Sequence, residues 1–273
     1  MTFAISLSGV GLMTHPASKS RLVIAVAGKG GTGKTVLTAL TLKLLLRHDG
    51  RKILVVDADP ATNLPDVLGI SLEKTVGMGA NELKKKIGGD EIPPEVDKKG
   101  LLEGLIMQTL VEAPKFDLLA MGRTEGEGCY CLVNTLLTDI IDTLSKNYDL
   151  TLMDMEAGLE HLSRRTDRDV DIMIVITDPS KMGLETAKRV NDLAKEVHIR
   201  FQKIFLVGNM FPSSIGETLQ KQAESFGVEL GGIVPVDPNV ANFSMTGRPL
   251  LELPDDSPAV VAVEKILEKI GLL

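Results

Sequence analysis

Gly28-Lys-Gly-Gly-Thr-Gly-Lys-Thr35 is the stretch from which the rest of this chain can be read. It fits G-x-x-x-x-G-K-[ST], the loop that cradles the phosphates of a nucleoside triphosphate. Gly28, Gly30, Gly31 and Gly33, with Thr32 between them, let backbone N–H groups turn inward around a polyphosphate. Lys34 then reaches the β- and γ-phosphates, and Thr35 offers its hydroxyl to Mg²⁺. Working outward, Arg21-Leu-Val-Ile-Ala-Val-Ala27 is β-branched and apolar and predicts a buried strand. Residues 33–48 predict a helix whose N-terminus faces the phosphates. Lys29 is a second lysine, early in the loop. A cation near the γ-phosphate can act as an arginine finger does, and a solvated surface lysine fits the motif equally well.

The chain has 273 residues, 44% of them hydrophobic and 25% charged, which suits one large α/β domain. A net charge of −7 with no basic stripe argues against nucleic acid as a partner. Two Tyr, seven Phe and no Trp leave little for stacking bases. No apolar run reaches transmembrane length, so no membrane partner is expected. Residues 1–20 lack a basic leader and read as a flexible extension, with Met13 an alternative start. A protein that consumes ATP is expected in the cytoplasm.

Strand-like runs alternate with helical patterns from residue 21 to residue 273. They predict an α/β fold, a mostly parallel sheet flanked by helices on both faces, in a single P-loop ATPase domain. Strands are expected at 52–58, 116–121, 149–155, 171–177, 203–208 and 228–234, with helices near 132–146, 181–197 and 214–226. Residues 62–112, with Lys84-Lys85-Lys86 and Pro93-Pro94, read as an irregular excursion carrying short helices. The lysines suit a solvated helix face or an acidic partner. From Ser257-Pro258 a final helix presents Val263, Ile266, Leu267 and Ile270 to its own domain.

Ligands of an open parallel sheet sit at the C-terminal ends of its strands, and two such ends carry carboxylates. In Asp57-Ala-Asp59-Pro60, Asp59 suits orienting the attacking water and Asp57 supporting the metal shell. In Asp154-Met-Glu-Ala-Gly158, Asp154 suits Mg²⁺ through a water. Together with the early lysine, these stretches resemble the deviant Walker A ATPases of the MinD/ParA/nitrogenase iron protein class. The resemblance implies a homodimer that closes face to face on two ATP molecules. Lys29 would then reach the partner's phosphates and Asp59 would serve the water. It also implies that Asn209 reads adenine and that the loop of Pro235 and Asp237 closes over the base.

Both cysteines of the chain lie in Gly122-Arg-Thr-Glu-Gly-Glu-Gly-Cys-Tyr-Cys131, read as a glycine-rich loop just ahead of a helix. Adjacent Cys-x-Cys pairs form disulfides poorly. One pair supplies two sulfur ligands; a two-fold dimer would supply four, which suits Zn²⁺, Ni²⁺ or an iron–sulfur cluster. Two incidental loop thiols are the plain alternative. Glu127-Gly-Cys-Tyr-Cys-Leu-Val-Asn134 resembles the accessory ATPases that insert nickel into carbon monoxide dehydrogenase and acetyl-CoA synthase, the CooC/AcsF type. That resemblance implies a metallochaperone. Its cofactors would be ATP and Mg²⁺, its cargo Ni²⁺ or Zn²⁺ on Cys129 and Cys131, and its client one of those two enzymes. An electron-transfer ATPase of the nitrogenase iron protein type is the alternative.

Overall fold

Alternation along the first strand shows why the sheet is covered on both sides. In β1 (Leu22–Gly28), Ile24 and Val26 enter one hydrophobic cluster, while Val23, Ala25 and Ala27 enter another on the opposite face. Ile53 and Val55 of β2 (Ile53–Ala58) join the first cluster, Leu54 and Val56 the second. Apolar residues on both faces are the mark of a strand in the middle of a layered parallel sheet. The computed structural model describes residues 21–48, 50–88, 98–123, 129–156, 170–196, 201–212 and 215–273. The expected extension at 1–20 lies outside them.

Among these residues the sheet has eight strands in the order β3-β4-β2-β5-β1-β6-β7-β8. The others are β3 (Leu110–Glu112), β4 (Asp117–Ala120), β5 (Leu150–Met155), β6 (Val170–Thr177), β7 (Phe201–Asn209) and β8 (Glu229–Val234). Every neighbouring pair is parallel except β3–β4. One face carries α1 (Lys34–His48), α2 (Leu64–Leu68) and α9 (Pro258–Ile270). The other carries α3 (Val76–Gly88), α4 (Lys98–Thr109), α5 (Cys129–Leu144), α6 (Lys181–Glu196) and α7 (Gly216–Phe226). In α9 the expected stripe Val263, Ile266, Leu267 and Ile270 is buried. The chain runs from β1 outward to one edge of the sheet and later to the other, so the strand order reverses beside β1. That is where an open α/β sheet leaves a crevice for a ligand.

The described part of 62–112 holds α2, α3 and α4, of 5, 13 and 12 residues, and ends in β3, an antiparallel edge strand. Three residues are too few for the alternation that marks a strand, which is why β3 escaped notice. Residues 235–237 form a loop after β8, as expected, and α8 (Pro238–Thr246) follows, with Asp237 at its N-cap and Pro238 at its first turn.

Candidate functional site

The phosphate loop joins β1 to α1 at the crevice. Gly31 and Gly33 have φ of +82° and +90°, backbone that side chains rarely adopt. A Cβ on Gly33 would also stand 2.3 Å from the Asn209 side-chain nitrogen. The Lys29 carbonyl draws the loop together: it accepts from Thr32 N at 3.3 Å, Thr32 Oγ1 at 2.7 Å and Lys34 Nζ at 3.5 Å. Lys34 is buried and stays inside the loop. Lys29 Nζ instead lies 4.0 Å from Asp178 Oδ2, beyond β6.

The carboxylates meet across the sheet. Asp57 and Asp154 are register partners on β2 and β5, and both are buried. Thr35 Oγ1 donates to Asp154 Oδ2 at 2.7 Å and Thr38 Oγ1 to Oδ1 at 3.4 Å. Burial pushes Asp154 up to about 6, against the Thr35 hydrogen bond and the charge of Lys34. Burial, then the facing Asp154, pushes Asp57 up to about 7. Two buried, opposed carboxylates beside a threonine hydroxyl form a hard oxygen donor set, which fits a divalent cation such as Mg²⁺. Asp57 is less free for that work than expected. Its Oδ1 accepts from Asp59 N and its Oδ2 from Leu64 N, both at 3.0 Å, so it anchors the loop after β2. Asp59 is half-buried at that loop and accepts from Ala61 N at 2.9 Å.

The profile of the CobQ/CobB/MinD/ParA nucleotide-binding domain matches residues 23–250. The chain belongs to that family. An ATP-binding protein of Methanocaldococcus jannaschii is 48% identical over 249 residues, 91% of this chain and 98% of that one. The carbon monoxide dehydrogenase accessory protein CooC of Rhodospirillum rubrum is 30% identical over 272 residues, 91% and 97% of the two chains. The crystal structure of a ParA family ATPase from Chlorobium tepidum TLS shares the fold. Its TM-score is 0.68 at 18% identity, covering 94% of this chain and 100% of that one. The protein is an ATPase with the fold expected from its sequence, and ATP with Mg²⁺ is what such a site uses.

Within this MinD/ParA-type site, two residues expected at the base are already engaged. Asn209, at the end of β7, donates from Nδ2 to the Thr32 carbonyl at 2.8 Å, tying that strand to the phosphate loop. The Asp237 carboxylate caps two helices. It accepts from Asn239 N in α8 at 2.8 Å, from Ala259 N in α9 at 2.9 Å, and from Ser257 Oγ. Burial alone would raise its pKa, but these hydrogen bonds hold it below the usual range. Asp237 is buried with its carboxylate engaged in these caps, and Pro235 is half-buried beside it. Asp237→Ala should destabilise the protein by about 2–3 kcal/mol, from two lost caps and the donors they leave. Urea unfolding measures this. A depressed carboxylate stabilises above its unfolded pKa, so the gap to wild type should narrow as pH falls through the acid range.

Sequence reasoning missed two residues. Thr38 lies three positions after Thr35 on α1, so helical spacing alone could have placed it on the same face. Asp178 lies just past the end of β6, and an aspartate at a strand end is a signal that could have found it. Gly158 lies outside the described residues. The cysteine reading needs correction: Cys129 and Cys131 occupy the first turn of α5, not a loop ahead of it. Since β4 runs parallel to β2, α5 begins at the same end of the sheet as the phosphate loop. Among the described residues, no three His, Cys, Asp or Glu groups assemble a metal site, and no helix is long and apolar enough to cross a membrane.

Proposed function

We propose that this ATPase is a metallochaperone that carries nickel to carbon monoxide dehydrogenase or acetyl-CoA synthase. The observation that carries the reading is the placement of both cysteines in one helical turn at the nucleotide end of the sheet. The CooC relative at 30% identity supports it. In this reading Gly30, Gly31, Thr32, Gly33, Lys34 and Thr35 hold the phosphates. Thr35 and Asp154, steadied by Asp57, hold Mg²⁺, which neutralises phosphate charge. Asp59 orients the water. Lys29 leaves Asp178 for the phosphates of a second subunit. The closed dimer brings two Cys129/Cys131 pairs together around the cargo ion, and hydrolysis reopens it. Coupling requires that the open and closed forms differ in metal affinity.

Replacing both Cys129 and Cys131 by alanine should abolish stoichiometric Ni²⁺ or Zn²⁺ binding in equilibrium dialysis and leave ATP affinity unchanged. Metal binding equal to that of wild type would overturn the proposal. An iron–sulfur electron carrier built on the same four thiolates would instead purify brown under anaerobic conditions.

A further inference from the structure

The start of α3 is tied to the exit of β4 through the main chain. The first amides of a helix have no partner inside it. In α3 the amide of Gly77 donates instead to the Met121 carbonyl at 2.8 Å. Met121 N in turn donates to the Asp57 carbonyl at 2.8 Å, one step past the last register pair of β2 and β4, Asp57 and Ala120. A line of backbone hydrogen bonds therefore runs from α3 to one of the two opposed carboxylates. Two glycines make the approach possible. Gly122 has a φ of +68°, and a Cβ on it would overlap Thr75 Oγ1 and Cβ. A Cβ on Gly77 would stand 2.6 Å from the Arg123 carbonyl oxygen. Thr75, Gly77, Met121 and Gly122 are all buried.

We infer, on the reading of Thr35, Asp154 and Asp57 as the Mg²⁺ site given above, that Gly122 and Gly77 are positioning residues for that ion. By seating α3 on the β4 exit they hold the main chain of Asp57 opposite Asp154. The Asp57 carboxylate is fixed from the other side by Asp59 N and Leu64 N, so the residue is clamped at both ends. A glycine inside a helix costs about 1 kcal/mol against alanine, and the close approach accounts for one in the first turn of α3. Alanine at 122 is strained by its φ and collides with a Cβ that cannot rotate away. Either α3 or the β4 exit must then shift, and either shift loosens Met121 from Asp57.

The test uses the full chain with ADP and Mg²⁺. Calorimetry, with protein in excess over ADP, reads the affinity for Mg²⁺. Gly122→Ala should weaken it on the order of tenfold, the low end of what supporting residues around a metal cost. Gly79→Ala is the matched control. On the same helix, its Cβ would crowd the Leu105 side chain and not the β4 exit, so it should leave the affinity unchanged. Hydrogen exchange of wild type needs no variant to fold. The amides of Gly77 and Met121 should exchange several-fold more slowly with ADP and Mg²⁺ than with ADP and a chelator. Gly122→Ala as tight as wild type, Gly79→Ala equally weakened, or unchanged exchange at both amides each overturns the inference. Asp154→Asn tells that result from failure of the site itself. Asp154→Asn binding Mg²⁺ as tightly as wild type would overturn the Mg²⁺ site and the inference together.

Discussion

Lys29→Ala should lower kcat for ATP hydrolysis by about 10³-fold, the scale of removing an arginine finger, while ATP still binds. The two lysines of the loop occupy different surroundings. Lys34 is buried and directed at the loop's own backbone. The Lys29 side chain is one-third exposed and faces Asp178, while only its carbonyl holds the loop together. Alanine keeps that carbonyl, so the cradle survives and binding with it. If Lys29 acts on the partner's phosphates, the defect can be complemented. Asp59→Ala, which removes the residue proposed to orient water, is equally inactive alone. In a mixed dimer, the site on the Lys29→Ala subunit keeps its own Asp59 and receives Lys29 from the other chain. Equimolar mixing should therefore recover roughly a quarter of wild-type activity, since half the dimers are mixed and each has one working site. No recovery on mixing would show that Lys29 works within its own chain.

Asp154→Asn should separate stability from activity. With Mg²⁺ bound less well, hydrolysis should drop by about 10²–10³-fold. The nucleotide-free protein should meanwhile become more stable. Asp154 is pushed up to about 6 and Asp57 to about 7, so between pH 4 and 7 the folded chain binds more protons than the unfolded one. Stability of the metal-free protein then falls as pH rises through that window. Asparagine carries no charge there. Its advantage from the charge at position 154 should grow from about pH 4 to pH 6 and then level off, reaching at most about 3 kcal/mol. Loss of one hydroxyl-accepting oxygen offsets part of it. Thermal melts across pH, with and without Mg²⁺, measure both parts. A variant less stable than wild type at pH 8 without Mg²⁺ would refute the account of the paired carboxylates.

Much of this was legible because the informative signals are local. A phosphate loop between a β-branched run and a helix is continuous in sequence, and so are the two strand ends that carry Asp57 and Asp154. The meeting of those ends is not local; the β2–β5 register that opposes the two carboxylates comes from the sheet. The Asp178 partner of Lys29 is hidden for the same reason. The family resemblance implies only a base-closing loop at Asp237; its cap of α8 and the second cap at Ala259, 22 residues on, come from the folded chain. The glycines before Cys129 suggested a loop, but a helix with Leu137, Ile140, Ile141 and Leu144 at helical spacing starts earlier than its apolar stripe.

The strand order has a further consequence. β4, which leads into α5, stands three places from β1, with β2 and β5 between them. At the usual strand spacing that is about 14 Å, beyond the screening length of ordinary salt, about 8–10 Å. A charge at the tip of β4 is therefore felt only weakly at the phosphate loop through solvent. In the carrier proposed above, a signal between nucleotide and cargo would travel mainly as movement of the β2 and β5 tips, which stand between them in the sheet.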